Sequence, residues 1–165
     1  MKHEDEREYA WMFRAHFPAV VRTVFFILHD RGRAEEVAQE AFVKLFQNSR
    51  TVSRYERPEA WVRRVAIRMA LRQSRRDSLR TVLERRRESD TTWEDRLPDI
   101  DLARALRALA PMQRAAVALY YFDDQPVAEI AHVLQVSEST VKQHLLRARR
   151  RLAELLHEEV TEDAH

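Results

Sequence analysis

Residues 126–152, PVAEIAHVLQVSESTVKQHLLRARRRL, decide the fold. Val127, Ile130, Ala131 and Leu134 recur at i, i+3, i+4 and i+7, which aligns them on one face of a helix. Pro126 suits the first helical position, where its missing N–H costs nothing. Ser137 is placed to cap a second helix, and Glu138 then favours the positive end of its dipole. Beyond them Val141, Leu145, Ala148, Leu152 and Leu155 form an inward stripe. Ser139, Gln143, Arg147 and Arg150 fall on the opposite side, flanked by Thr140 and Lys142. Hydroxyl, amide and guanidinium groups at the front of a helix are the chemistry that reads base edges and holds phosphates. Two helices joined by a tight turn with this distribution predict a helix-turn-helix. An ordinary helical hairpin with a solvated basic face is the plainer alternative.

The rest of the 165 residues fits a soluble globular protein, 45% apolar and 34% charged. No run is expected to reach the length of a membrane span. The start, MKHEDEREYA, is acidic where a signal peptide would be basic and then apolar. With no cysteine, neither a disulfide framework nor a thiolate metal site is available, and the reducing cytoplasm is the expected location. Gly32 is the only glycine, which argues against phosphate-cradling loops of the Walker or dinucleotide type. Net charge is only +2, but the charge is segregated. Residues 61–76 hold six arginines and no acid, and residues 141–152 hold Lys142, Arg147, Arg149, Arg150 and Arg151, again with no acid. Basic ridges of this kind are the electrostatic footprint of nucleic acid. GC-rich codon usage would explain arginine over lysine, but not the missing acids.

Periodicity is helical almost throughout, so the expected fold is all-α: two small helical domains joined by a flexible linker. The first domain covers residues 5–76. A helix from Tyr9 to Leu28 is expected to kink or restart at Pro18, and Gly32 to take the left-handed turn conformation. In the next helix Ala34, Val37, Ala38, Ala41 and Leu45 point inward. Glu35, Gln39, Val43 and Phe46 fall outward, a mixture better suited to a protein partner than to water, unless Phe46 covers a neighbouring helix. A polar segment, 48–59, precedes a helix from Pro58 to Arg76. There Trp61, Val62, Val65, Ala66 and Met69 point inward, while Arg64, Arg68 and Arg75, with Leu71 between them, form a ridge. Residues 48–57, NSRTVSRYER, carry the side-chain types that stack on or bond to unpaired bases. Residues 77–100 alternate charge sign and are expected to be the linker, with Trp93 an odd apolar residue in it. Asp99 or Asp101 would cap the first helix of the second domain, 101–156, and Pro111 would open the next. Residues 157–165 are expected to be an acidic frayed tail.

Taken together these stretches resemble the extracytoplasmic-function (group IV) sigma factors of bacterial RNA polymerase. AEEVAQEAFVKLF is similar to region 2.2, which in that family docks on the β′ clamp helices. EAWVRRVAIRMALRQSRR is similar to regions 2.3 and 2.4, which recognise the −10 element. LRALAPMQRAAVALYYFDDQPVAEIAHVLQVSESTVKQHLLRARRRL is similar to region 4, which binds the −35 element. The resemblance implies a core-polymerase face of Glu35, Glu36, Gln39, Glu40, Val43 and Phe46. It implies −10 contacts from Asn48, Ser49, Arg50, Tyr55, Trp61, Arg64, Arg68 and Arg72, with 48–59 as a loop that captures an unstacked base. It implies −35 contacts from Ser137, Ser139, Thr140, Lys142, Gln143 and Arg147. The implied partners are core RNA polymerase (β′ clamp helices and β flap), promoter DNA and an anti-sigma factor. No cofactor, metal, small-molecule substrate or catalytic residue is expected.

Three positions depart from the family pattern. Arg68 and Arg72 stand where the −10 helix usually has Asn and Asp. Gln135 replaces the usual turn glycine, and His144 replaces a commonly basic residue. Two other functions are compatible with parts of the chain. A LuxR-type regulator would share the STVKQHL helix but leave residues 1–76 as an unrelated sensor. A helical-bundle metal hydrolase would need His29 and Asp30 as ligands.

Overall fold

The computed structural model describes residues 2–81 and 100–162. Trp93, Asp99 and most of the expected linker lie outside the described residues. The chain divides into two compact units, residues 1–73 and 74–165. Among the described residues the architecture is all-α, with no strand.

The first unit holds α1 (Lys2–Leu28), α2 (Arg31–Gln47), α3 (Ser49–Tyr55) and α4 (Pro58–Thr81) as far as Gln73. α1 starts earlier than Tyr9 and runs through Pro18 without a restart. Proline removes one intrahelical hydrogen bond, but apolar packing on both sides of it holds the helix together. Phe13 and Phe17 stack on each other and pack on Phe42 of α2, at centroid distances of 5.0 and 6.0 Å. On the far side Val20, Val21, Val24 and Ile27 are buried. The stretch His3–Leu28 is in fact long and apolar enough to cross a membrane, contrary to the expectation from sequence. Its packing against α2 instead gives that apolar face a protein core to fill.

The turn after α1 also differs from expectation. Asp30 caps α2, its side chain accepting from the Arg33 N–H at 3.0 Å. The helix therefore starts at Arg31, and Gly32 lies inside it. The left-handed residue is His29, at φ 52°. α2 buries the predicted stripe of Ala34, Val37, Ala38, Ala41 and Leu45, and Phe42 with them.

Residues 49–55, expected as part of a loop, form α3. The Asn48 carbonyl accepts from the N–H groups of Thr51 and Val52, and buried Val52 anchors the helix to the core. That apolar anchor outweighs the polar composition of the segment. α4 continues past Arg76 to Thr81. Val62, Ala66, Ile67, Met69 and Ala70 are buried, while Trp61 and Val65 are half-buried. Leu71, placed on the ridge by sequence, is buried as well, because it follows Ile67 by one turn on the inward face.

In the second unit α5 (Ile100–Arg107) and α6 (Pro111–Val117) precede a π-helical turn (Ala118–Phe122), α7 (Val127–Leu134) and α8 (Glu138–Glu162). Asp101 lies within α5 and so does not cap it. Pro111 opens α6 as expected. Pro126 is one place earlier than predicted: it is the N-cap of α7, its carbonyl accepting from the Ile130 N–H. α8 packs against α5, α6 and α7, and Leu119, Ile130, Val133, Val141 and Ala148 make the centre of this core. The predicted tail is partly helical, since α8 extends to Glu162. One cation is built into the frame. The Arg114 guanidinium donates to the carbonyls of Arg107 and Leu109 at 3.1 and 2.9 Å, covering the open C-terminal end of α5. Burial pushes its pKa down to about 10.

Candidate protein and nucleic-acid interfaces

The turn between α7 and α8 is tight because Gln135 takes the left-handed conformation, φ 57° and ψ 44°. The strain there is on the order of 1 kcal/mol for a residue with a Cβ. The Val136 N–H returns to the Ala131 carbonyl at 3.1 Å, closing the end of α7. Ser137 then caps α8: its Oγ accepts from the Thr140 N–H at 3.1 Å. The same hydroxyl lies 3.0 Å from Ser139 Oγ and 2.8 Å from Thr140 Oγ1, so three hydroxyls form one cluster at the front of the helix. Ser139, Lys142, Gln143, Arg147 and Arg150 are exposed on α8, and Thr140 is half-exposed. The sequence-derived face is thus assembled as a single polar and basic surface. His144 is tucked beside it with a buried Nδ1 that has no hydrogen-bond partner. Burial, and then the charge of Arg147, lower its pKa below the ordinary value of 6.5 and keep it neutral at pH 7.

On the outer side of α2, Val43 and Phe46 are 52% and 51% exposed, large apolar side chains left in water. Phe46 also meets the ring of Tyr9 edge-on at 4.9 Å, so it both covers a neighbouring helix and presents a face. Glu36, Gln39 and Glu40 are exposed around them. Glu35 pairs with Arg31 and Glu40 with Lys44 one turn away.

Two sequence profiles match this chain: sigma-70 region 2 over residues 12–80 and sigma-70 region 4 over residues 99–152. Together they span both helical units. The chain belongs to the extracytoplasmic-function sigma factors. It is 29% identical over 155 residues to the ECF RNA polymerase sigma factor SigL of Mycobacterium tuberculosis, covering 89% of this chain and 88% of SigL. It is 28% identical over 134 residues to the RNA polymerase sigma factor SigV of Bacillus subtilis, covering 77% and 78%. The fold is similar to that of the sigma factor RpoE from Bartonella quintana, solved in complex with the anti-sigma factor NepR. That similarity has a TM-score of 0.72 at 19% identity and covers 92% of this chain and 98% of RpoE. A LuxR-type regulator would require an unrelated first module, and residues 12–80 are region 2 instead. The Asp30 carboxylate is engaged as the cap of α2, and no group of side chains able to hold a metal ion occurs among the described residues.

In this sigma factor the residues assigned to the −10 element are not equivalent. Asn48 Nδ2 donates to the Lys44 carbonyl at 2.7 Å, closing the C-terminal end of α2. Ser49 and Arg50 stand exposed on the first turn of α3, and Tyr55 is its last residue. Arg64 makes a two-pronged ion pair with Glu56, just beyond α3, and its side chain is only 11% exposed. Arg68 is half-buried, and its pKa is lowered by burial and then by Arg64. Arg72 is exposed. The ridge therefore has one arm, Arg64, turned onto the protein. Sequence reasoning missed Glu56, whose spacing of eight residues from Arg64 matches no helical contact rule. It also missed Tyr121 and Phe122, which are exposed, Tyr121 beside Arg149. Arg149 Nε donates to Tyr121 Oη at 2.6 Å, and its guanidinium lies over the Tyr120 and Tyr121 rings. Three consecutive aromatics cannot all face inward on a helix, and that was the available signal.

Proposed function

We propose a division of labour among the surfaces of this RNA polymerase sigma factor. The first domain, residues 5–76, binds core polymerase through Glu35, Glu36, Gln39, Glu40, Val43 and Phe46, and handles the opened −10 strand. Ser49, Arg50 and Arg72 are its exposed polar and basic groups there, with Arg68 behind them and Trp61 in support. Asn48 and Arg64 act as positioning residues that hold α3. The second domain, residues 101–156, lays the front of α8 in the −35 major groove, with residues 77–100 connecting the two. Gln143 and Arg147 read base edges, Lys142 and Ser139 hold phosphates, and Ser137 and Thr140 fix the helix start. The protein works in the cytoplasm and is held in check by an anti-sigma factor, a partner suggested by the RpoE–NepR complex.

The observation that carries this assignment is the α8 surface. A capped helix start presents a hydroxyl cluster, then an amide and two cations, with no acid between 141 and 152. In transcription with purified core polymerase on randomised promoters, Gln143→Ala or Arg147→Ala relaxes preference at one −35 position and costs roughly 1–3 kcal/mol. A uniform loss across sequences, with a shallower salt dependence, would move that residue to the phosphate contacts. Unchanged affinity and preference in the double variant would refute the assignment of this face.

A further inference from the structure

A cavity of about 200 Å³ opens within the first unit, between α1 and the junction of α2, α3 and α4. One wall is a single stripe of α1: Asp5, Glu8, Tyr9 and Met12, spaced i, i+3, i+4 and i+7. Leu45 and Phe46 line it from the end of α2. Tyr9 is fixed in place, its hydroxyl donating to the Phe42 carbonyl at 2.8 Å and its ring against Phe46. Asp5 and Glu8 are exposed, and neither has an ion-pair or hydrogen-bond partner among the described residues. Arg50 also lines the cavity, so its lining has a net charge of −1 from two acids and one base.

An apolar, aromatic interior beneath two unpaired carboxylates suits an occupant with an aliphatic stem and a cationic tip. The stem packs on Met12 and Leu45, the cation meets the carboxylates, and the rings of Tyr9 and Phe46 add their negative faces. The same carboxylates repel a nucleic-acid backbone from the α1 wall, so a basic protein side chain is favoured there, while Ser49 and Arg50 line the cavity from α3, the side assigned to the −10 strand. Phe46 belongs both to this cavity and to the outer face of α2, so whatever docks on that face reaches the cavity mouth. We propose that the cavity receives a lysine or arginine side chain of core RNA polymerase. This rests on the assignment of α2 as the polymerase-binding face.

The test is equilibrium binding of the full-length protein to core polymerase without DNA, across a range of salt. Asp5→Asn/Glu8→Gln preserves size and is checked for native circular dichroism. It is expected to weaken binding about fivefold or more at low salt and to flatten the salt dependence. Glu4→Gln/Glu6→Gln makes the same charge change on the same helix outside the cavity, and should leave affinity unchanged. Val43→Ala tests the α2 face alone. Equal losses from the two acidic pairs would overturn the cavity in favour of a diffuse field. A normal Asp5→Asn/Glu8→Gln affinity beside a weakened Val43→Ala would overturn the cavity and leave the α2 face standing. No effect from either would overturn both, and a defect confined to promoter-bound complexes would overturn a protein occupant.

Discussion

Replacing Glu56 by Gln changes neither size nor shape but removes the charge that holds Arg64. The pair is two-pronged, with Arg64 at 11% and Glu56 at 25% side-chain exposure, so little water reaches the guanidinium to replace a lost carboxylate. Breaking a fully buried pair by removing one member costs about 3–5 kcal/mol. Here water still reaches Glu56 and the amide oxygen keeps one acceptor, so the expected loss is about 2 kcal/mol. Urea unfolding followed by tryptophan fluorescence measures it. A Trp93→Phe background leaves Trp11 and Trp61, both in the first unit, as reporters. With a urea slope of about 1–3 kcal/mol per molar, the midpoint falls by about 1 M. Glu56→Gln/Arg64→Met should recover part of the loss, since no uncompensated cation remains. A shift below about 0.5 kcal/mol, or a double variant as weak as the single one, would refute the brace. In promoter assays Glu56→Gln should slow strand opening while core binding stays normal. The variant loosens α3 and leaves the outer face of α2 intact.

Two further outcomes concern the second unit. Arg114→Met should destabilise it by about 2 kcal/mol in denaturant titrations, because the Arg107 and Leu109 carbonyls lose their donor; an unchanged midpoint would show that water replaces the guanidinium. For His144 the sign follows from its lowered pKa. The unfolded chain takes up the proton first, so stability is lost as pH falls below about 6.5 and levels off once the folded form is protonated. His144→Gln should remove that part of the pH slope, and an identical slope in the variant would refute the assignment.

Much of this molecule is legible along the chain because its helices are amphipathic with a clear period. The inward stripe of α2 is buried throughout, and those of α7 and α8 at Ile130, Ala131, Leu134, Val141, Leu145 and Ala148, with Val127, Leu152 and Leu155 half-buried towards the helix ends. The exposed residues on α8 follow from the same count, since a surface opposite a buried stripe needs only the helix period. What the period cannot supply is contact between elements. The Glu56–Arg64 brace, the Arg114 cap and the cavity beneath Asp5 and Glu8 all join residues whose separation in sequence carries no rule. The 48–59 segment was misjudged for a related reason. Its composition is that of a loop, and a single buried valine, Val52, together with the Asn48 carbonyl turns it into a helix. Gly32 misled through its strong association with turns; Asp30, two residues earlier, had already settled where the helix begins.

The π-helical turn at Ala118–Phe122 has a consequence for how the protein can change. The Asp123 N–H reaches back five residues to the Ala118 carbonyl, so this turn holds one residue more than an α-helical turn would. Such a turn accommodates one residue more than regular winding without breaking the helix on its N-terminal side. It advances every following side chain by one step, and Tyr121 thereby comes within reach of Arg149. Removing the codon for Leu119, the one residue of 119–122 that is not aromatic, is expected to restore regular winding and displace the aromatic patch relative to Arg149. In a relative, a gap of one position at this point in an alignment would therefore mark a differently oriented surface.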